Sequence, residues 1–229
     1  MKIFSDTTIR SLGDSALTID FGGDVAPETN SHVLGARTAL DAAGLRGVIE
    51  TVPAFTSLTV FFDPDVITGD MLTNLLRSFE GDMPVGSGSA RTVEIPVLYD
   101  GPDLAALAGD TGMPESRIVD IHTAAPYRVY MLGFLPGFAY LGDVPETLRV
   151  PRLREPRKRV PAGSVAIADQ FTAVYPLESP GGWRLIGRTP LTMFDHRADP
   201  PNVLAAGDRV TFRAIDANEF ERLSRGSVR

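Results

Sequence analysis

The sequence has 229 residues, of which 43% are hydrophobic and 22% are charged, so its length suits one large domain or two small ones. This balance excludes a wholly disordered chain, a collagen-like fibre and a membrane bundle. Residues 1–82 contain 5 basic and 12 acidic side chains, whereas residues 83–229 contain 17 of each, and a nucleic-acid-binding protein normally needs a basic face.

Two absences narrow the class of protein further. The sequence has no cysteine, which excludes disulfides, thiolate nucleophiles and cysteine–zinc sites. Its N-terminus lacks the apolar stretch of a secretory signal, and no apolar run approaches the roughly 18 residues of a membrane-spanning helix. We therefore expect a cytoplasmic protein with no membrane partner.

The first region, residues 1–82, has the pattern of an α+β domain. Alternating apolar and polar residues predict a strand over 15–21, and helical spacing predicts a helix from Pro27 to Ala43 that stops at Gly44. Strands are expected over 47–52 and 57–62, and a second helix over 68–79. The order strand, helix, strand, strand, helix is typical of a ferredoxin-like domain.

Residues 81–90 read GDMPVGSGSA and have no hydrophobic periodicity. Such a Gly-, Ser- and Pro-rich stretch favours a linker, which we place at residues 83–90. Gly86-Ser87-Gly88 is similar to a phosphate-binding loop, but a predicted strand follows it rather than a helix.

The second region, residues 91–229, has the pattern of a mainly β domain. It begins with a predicted edge strand at 92–97, since Pro96 cannot donate to a ladder. Two short helices follow at 102–108 and 114–123. Short apolar runs punctuated by Gly and Pro then predict a barrel or sandwich, and residues 218–225 form either a terminal helix or a frayed tail. The runs are 127–131, 164–168, 185–186 and 209–212.

Common catalytic signatures are absent from the sequence. It has no Walker loop, no Gly-x-Gly-x-x-Gly motif opening a helix and no Gly-x-Ser-x-Gly elbow. Its three histidines, His32, His122 and His196, are isolated from one another, so no metal site is predicted. His122 lies near the end of a short predicted helix and is either a general base or a capping side chain.

Three segments between residues 121 and 190 carry the strongest functional signal. Gly133 to Gly142 places aromatic residues among glycines, either displayed on a tight loop or buried as core. Residues 149–159 contain six basic side chains and one acidic one; they form a solvated run, hold an acidic substrate or dock an acidic partner. The only tryptophan, Trp183, follows a Pro-Gly-Gly turn that holds its loop in one shape.

Several long motifs in a fixed order resemble those of the 5-oxoprolinase B-subunit family, also described as KipI-like or as allophanate hydrolase subunit 1. The resemblance extends to the N-terminal region through Gly13-Asp14-x-Ala16-Leu17 and Pro53-Ala54-Phe55-x-Ser57-Leu58. The matching motifs of the second region are His122…Tyr127-x-Val129, Gly133-Phe134-x-Pro136-Gly137-Phe138-x-Tyr140-Leu141-Gly142, Pro151-Arg152-x4-Arg157-x2-Val160-Pro161-Ala162-Gly163-Ser164-Val165 and Tyr175-Pro176-x2-Ser179-Pro180-Gly181-Gly182-Trp183-x2-Ile186-Gly187-Arg188-Thr189-Pro190.

The resemblance implies a ferredoxin-like N-terminal domain followed by a cyclophilin-like β-barrel. It also implies a 5-oxoprolinase complex with a KipA-like C-subunit and an A-subunit, which uses ATP with Mg²⁺ to open 5-oxoproline to glutamate. No motif in this chain binds ATP by itself, so we expect the chain to be inactive alone.

The matching motifs also supply candidate site residues for such a reaction. His122 and Arg188 are the candidate catalytic residues. Arg152 and Arg157 are candidates to hold the carboxylate of a small substrate, with Tyr140 and Trp183 closing the pocket.

One segment departs from the family pattern. Relatives carry a Gly-Gly-Gln-Thr-Gly-Ile-like stretch where this chain has Asp169 to Val174, with Phe171 in the glutamine position. The identity of the substrate therefore stays open. The alternatives are an inhibitor of a sensor histidine kinase, an allophanate or urea amidolyase-type subunit, and a prolyl isomerase suggested by the barrel alone.

Overall fold

A computed structural model of the chain describes residues 3–4, 6–80 and 91–226. The chain divides into two compact units, Met1–Ser89 and Ala90–Arg229. The linker predicted at residues 83–90 lies outside the described residues, so it stays a prediction, as do the domain limits set on either side of it. No helix in the described ranges is both long enough and apolar enough to cross a membrane.

The first unit packs two helices on one face of a four-stranded antiparallel sheet with the order β1-β2-β4-β3. Leu17 of β2 and Val60 of β4 face each other across the ladder and share one core with Val33 of α1 and Leu76 of α2. The elements are β1 (Thr8–Ser11), β2 (Ala16–Asp20), α1 (Pro27–Ala43), β3 (Val48–Pro53), β4 (Ser57–Phe62) and α2 (Gly69–Ser78).

The predicted strand, helix, strand, strand, helix order is confirmed in this unit. Helix α1 has the predicted bounds: Pro27 occupies its first turn, where its missing N–H costs nothing, and Gly44 ends it in the left-handed conformation at φ 55°. The edge strand β1 was not predicted, because its four residues include a single large apolar side chain, Ile9, and are mostly exposed.

The second unit is built around a seven-stranded sheet with the order β12-β9-β10-β7-β6-β13-β5. Leu98, directly after β5, exchanges two backbone hydrogen bonds of 2.9 Å with Arg188 at the end of β12, so the two edges of the sheet nearly close into a barrel. The strands are β5 (Thr92–Val97), β6 (Tyr127–Leu132), β7 (Ala139–Gly142), β8 (Arg157–Val160), β9 (Ser164–Ala168), β10 (Phe171–Val174), β11 (Ser179–Gly181), β12 (Arg184–Arg188) and β13 (Arg209–Ala214).

Helices cover part of this sheet, and a small two-stranded sheet of β8 and β11 lies beside it. The helices are α3 (Leu104–Thr111), α4 (Glu115–Ala124) and α5 (Ala217–Gly226). Strand β5 lies at the end of the sheet order, as its proline predicted, and pairs with β13 in parallel. The mixed α and β composition with a barrel-like second sheet agrees with the expectation from the sequence.

The segment Gly133 to Gly142 is only partly the loop that its glycines suggested. Its first half is a tight turn in which Gly133 N donates to Phe138 O at 3.0 Å. Its second half is strand β7, which pairs with β6 and β10. The aromatic residues therefore lie at the end of a turn and in a strand, where a neighbouring sheet fixes their directions.

Candidate functional site

A cluster of aromatic side chains lies in the second unit where β7, β10 and β12 begin or end. Phe138 directly precedes β7, Tyr140 lies in it, Tyr175 follows β10 and Trp183 precedes β12. The rings of Tyr140, Tyr175 and Trp183 lie edge-on to Phe138 at 5.1, 5.2 and 5.6 Å, a favourable arrangement for aromatic pairs. Tyr140 is partly exposed and the other three are buried, so the cluster has a buried floor and one edge in solvent.

Arg152 lies over this cluster. Its guanidinium carbon is 5.8 Å from the centroid of the Trp183 ring, within the range of a cation–π interaction. The side chain is exposed, and within the described ranges it forms no ion pair or hydrogen bond. Its five N–H donors are therefore available for a carboxylate or phosphate.

Arg157 lies beside the same cluster, but its charge is paired. Its Nη2 donates to Oδ1 of Asp103 at 2.5 Å, and Oδ2 of Asp103 accepts a hydrogen bond from Leu185 N at 2.6 Å. Among the described residues, Nη1 of Arg157 is buried without a hydrogen-bond partner. This predicted substrate-binding residue is thus held by a carboxylate of its own chain.

The pKa of Tyr175 reflects the groups around its hydroxyl. Burial raises its pKa above the ordinary value, while a hydrogen bond from the Trp183 backbone and the charges of Arg152 and Arg157 act in the opposite direction. The structure brings together the four predicted substrate-binding residues, Tyr140, Arg152, Arg157 and Trp183, around Tyr175.

Glycines allow the basic loop to lie against the turn that carries Trp183. Leu153 N donates to Gly182 O at 2.7 Å, and Gly181 pairs with Arg157 in the ladder of β8 and β11. A Cβ atom at Gly181 would lie 2.4 Å from the Tyr175 hydroxyl oxygen, so only glycine fits there without a shift. The loop and the turn are therefore held as one surface.

Arg188, a predicted catalytic residue, is not part of this cluster. It ends β12 whereas Trp183 precedes it, and five extended residues span about 17 Å. Its guanidinium pairs with Asp100 at 2.8 Å and lies 4.4 Å from the ring centroid of Phe220 in α5. Its catalytic role stays a prediction, and its surroundings place it at the other end of the strand.

His122, the other predicted catalytic residue, is fully buried in α4. Its Nδ1 lies 2.7 Å from the Tyr99 hydroxyl and its Nε2 lies 3.0 Å from Thr172 Oγ1. Since Thr172 donates its proton to Ala166 O, Nε2 of His122 carries the hydrogen and Nδ1 accepts from Tyr99. Burial lowers the pKa of His122 to about 3, so the ring is neutral.

His122 and the aromatic cluster lie on opposite faces of β10. His122 contacts Thr172, whereas the neighbouring Phe171 lies edge-on to Tyr140 at 5.9 Å, and consecutive residues of a strand point to opposite sides. The hydrogen bonds of His122 suit a core residue, and its burial adds no support to the prediction that it is a general base.

Phe171, the residue that departs from the family pattern, forms one side of the cluster. Its ring is partly buried and lies edge-on to Tyr130 and to Tyr140, each at 5.9 Å. A glutamine at this position would present a polar amide to Tyr140. In this chain the corresponding surface is apolar.

Asp103 is the site residue that sequence reasoning missed. It precedes α3 and is buried, although nothing in its neighbours marks it as a partner of an arginine 54 residues away. Tyr175 and Phe138 were quoted in motifs but not as site residues. In the part of the chain that the structure describes, no three His, Cys, Asp or Glu side chains cluster as metal ligands.

Comparison with known proteins gives a consistent set of relatives. Residues 7–204 match the sequence model of the carboxyltransferase domain, subdomain C and D. The chain is 40% identical over 229 residues to the protein named as the B-subunit of 5-oxoprolinase from Bacillus subtilis (strain 168), a match that covers 93% of this chain and 94% of the relative.

Solved structures show the same fold in longer chains. The crystal structure of TTHA0988 matches with a TM-score of 0.79 and 38% identity over 92% of this chain, but only 41% of that chain is covered. The urea amidolyase of K. lactis matches with a TM-score of 0.75 and 18% identity, covering 97% of this chain and 16% of the amidolyase. The second match shows a common fold alone.

Proposed function

This chain belongs to the 5-oxoprolinase B-subunit family, within the carboxyltransferase subdomain C and D proteins, and we propose that it is the B-subunit of an ATP-dependent 5-oxoprolinase. The complex opens 5-oxoproline to glutamate. The observation that carries the assignment to a site is Arg152, whose guanidinium lies over Trp183 at the edge of an aromatic cluster and has no ion pair with any described residue.

The chemistry of the substrate suits this cluster. 5-Oxoproline is a flat five-membered lactam with one carboxylate, so its ring packs against Trp183 and Tyr140 while its carboxylate accepts hydrogen bonds from Arg152. A guanidinium that already lies over an aromatic ring is partly desolvated, which strengthens its interaction with an anion. Arg157 lies beside this surface and is held there by its ion pair with Asp103.

The reaction requires activation of the lactam. An unstrained amide resists water because its nitrogen is a poor leaving group. Transfer of the γ-phosphoryl group of ATP to the amide oxygen, with release of ADP, makes the carbonyl carbon electrophilic. Water then adds to this carbon, the C–N bond breaks as the ring nitrogen takes up a proton, and hydrolysis of the resulting acyl phosphate releases inorganic phosphate and glutamate. The contribution of this chain is to bind and orient the ring and its carboxylate.

We assign the remaining functions to partner proteins. The relatives carry the name of a B-subunit, and TTHA0988 continues well beyond the matched region. Both facts favour association with a KipA-like C-subunit and an A-subunit, which together use ATP with Mg²⁺. The two units of the chain then correspond to a ferredoxin-like domain and a cyclophilin-like barrel.

The test is reconstitution of the chain with the A- and C-subunits, with ATP-dependent formation of glutamate from 5-oxoproline as the readout. We expect Arg152→Ala to lower activity by about tenfold or more, since a charge-assisted hydrogen bond to the substrate is lost. Arg154→Ala is the matched control, because Arg154 is exposed in the same loop. Size-exclusion chromatography of each variant with its partners reports assembly.

The outcomes separate the candidate functions. Lost activity with intact assembly supports a substrate-binding role for Arg152. Lost assembly would indicate instead that the basic loop forms an interface with a partner subunit. Full activity of the Arg152→Ala variant would contradict the assignment of Arg152 and the aromatic cluster as the substrate site. Turnover of allophanate in place of 5-oxoproline would instead support a function in the amidolyase-type reaction.

A further inference from the structure

Asp103 joins three segments of the second unit through its side chain and backbone. Its Oδ1 accepts a hydrogen bond from Arg157 in β8, and its Oδ2 accepts one from Leu185 N in β12. Its own backbone N–H donates to Leu185 O at 3.0 Å. Together, the buried carboxylate and the backbone of Asp103 fix the start of α3 against β8 and β12.

The two strands that Asp103 joins follow directly after the loop that carries Arg152 and the turn that carries Trp183. Arg157 begins β8 and ends the loop that carries Arg152, while Leu185 follows Trp183 by two residues. The loop and the Trp183 turn are joined again by the hydrogen bond from Leu153 N to Gly182 O. The distance between Arg152 and Trp183 therefore depends on the contacts of Asp103.

The local charge of this arrangement is suited to one anion. Asp103 neutralises Arg157, and Arg159, also in β8, is paired with Glu178 at 2.7 Å. Burial raises the pKa of Tyr175 above its ordinary value, so its hydroxyl is uncharged near neutral pH. Arg152 therefore supplies the net charge of the cluster, and a single guanidinium matches a single carboxylate.

We propose that Asp103 is a positioning residue that holds Arg152 over Trp183, through Arg157 and the Leu185 N–H, and thereby sets a preference for a lactam with a carboxylate over a neutral lactam. This inference rests on the proposed function in taking the aromatic cluster as the ligand site. Asp103 does not contact the ligand; it acts through the geometry of the loop and the turn.

The single tryptophan of the chain gives a direct readout. The chain is labelled with 5-fluorotryptophan and reconstituted with unlabelled A- and C-subunits, so that one fluorine resonance reports Trp183. L-5-Oxoproline and the neutral lactam 2-pyrrolidinone are titrated separately. We expect saturable shifts with both lactams and at least about tenfold tighter binding of the carboxylate, the range of one charge-assisted hydrogen bond.

Asp103→Asn tests the positioning role, because the amide oxygen still accepts from Leu185 N while the charge that holds Arg157 is removed. We expect a shifted fluorine resonance without ligand, a rise in KM for 5-oxoproline with little change in kcat, and an approximately equal affinity for the two lactams. Arg157→Lys retains the charge but not the planar fork, and should give a smaller change in the same direction if Asp103→Asn does not fold.

Asp110→Asn is the matched control. Asp110 lies on α3 and pairs with Arg184 of β12 at 3.1 Å, so this variant removes an acid–base pair between the same elements without changing Asp103. It should retain the wild-type preference. A preference retained in both Asp103→Asn and Arg157→Lys overturns the positioning role and leaves the ligand site in place. No response of wild-type Trp183 to L-5-oxoproline overturns the ligand site, and the positioning role with it.

Discussion

His122 is of a residue type suited to catalysis, but in this fold it packs in the core of the second unit. Its ring contacts Tyr127 and Phe212 at centroid distances of 5.3 and 4.5 Å, and both ring nitrogens have partners. A neutral histidine is the only form that Tyr99 can donate to at Nδ1. The protonated form would lose this hydrogen bond inside a low-dielectric core.

The stability of the second unit should therefore depend on pH through His122. Its pKa is about 3 in the folded chain, against 6.5 for an unperturbed histidine, so between these values the unfolded chain binds a proton that the folded chain does not. The free energy of unfolding then falls as the pH is lowered below 6.5, by at most about 1.4 kcal/mol per pH unit. Urea unfolding followed by Trp183 fluorescence at pH 7.5, 6 and 5 measures this slope.

His122→Gln is the control for this titration, because glutamine offers a donor and an acceptor but does not titrate. The variant should be less stable at pH 7.5 and should show a shallower slope between pH 6.5 and 5. An unchanged slope would assign the pH dependence to other groups.

Gly181 carries a second prediction at the residue scale. An added Cβ would lie 2.4 Å from the Tyr175 hydroxyl oxygen, so Gly181→Ala forces either the ring or the turn to move. We expect a loss of about 1 to 3 kcal/mol, the usual cost of overpacking, together with a change in Trp183 emission. Denaturant unfolding and fluorescence spectra of the folded variant measure the two effects.

Gly109→Ala provides the comparison for Gly181→Ala. Gly109 lies within α3, and a Cβ there would meet no atom within 4 Å, so this variant should be neutral or stabilising by about 0.5 to 1 kcal/mol. Equal stability of both variants would show that the turn at Gly181 adjusts at no cost.

At the scale of elements, helix α5 contacts the rest of the second unit without burying any of its residues. Its contacts include the ion pair between Arg213 and Glu219 at 3.1 Å and the Phe220 ring beneath Arg188. Exposed ion pairs and cation–π contacts each contribute about 0 to 1 kcal/mol.

Truncation after Asp216 should therefore cost the second unit no more than about 1 to 2 kcal/mol, since no residue of the removed helix is buried. Thermal unfolding followed by Trp183 fluorescence checks this, with Arg188→Lys as a comparison that removes the planar group over Phe220 and keeps a positive charge near Asp100. An unfolded truncated chain would make α5 an integral part of the second unit.

At the scale of the whole molecule, two units with separate cores should be separable by cleavage. The Gly-, Ser- and Pro-rich stretch at 81–90 lies between them in sequence, and we expect limited proteolysis to cut there first. Mass spectrometry of the earliest fragments identifies the site. A first cut within residues 133–190 would contradict both the boundary and the rigidity ascribed to the aromatic cluster.

The chain alone should not turn over 5-oxoproline. It has no recognisable nucleotide-binding loop, and its relatives are named as one component of a multi-protein enzyme. Glutamate formation by the purified chain with ATP and Mg²⁺ is the measurement, and activity should return when the A- and C-subunits are added. Robust turnover by the purified chain would place the complete catalytic machinery within these 229 residues.

Structural features that depend on residues close together in the sequence could be predicted from the sequence. Helix α1 runs from Pro27 to Ala43 because a proline and a glycine mark its ends, and β5 is an edge strand because Pro96 cannot donate. Local rules missed β1, β7, β8, β10 and β11, since strands of three or four residues obtain most of their stability from partners distant in the sequence. The grouping of Tyr140, Arg152, Arg157 and Trp183 as one set came from motif order, and the structure brings these residues together.

Which of the candidate residues share a surface depends instead on the folded chain. His122 and Arg188 stand in matching motifs, yet β10 separates His122 from the aromatic cluster and the length of β12 separates Arg188 from it. Asp103 is 54 residues before Arg157 and 82 before Leu185, so no local pattern connects them. The physical reason is that hydrogen bonds and ion pairs form between atoms that the fold brings close, and sequence spacing carries that information only within a helix, a strand or a turn.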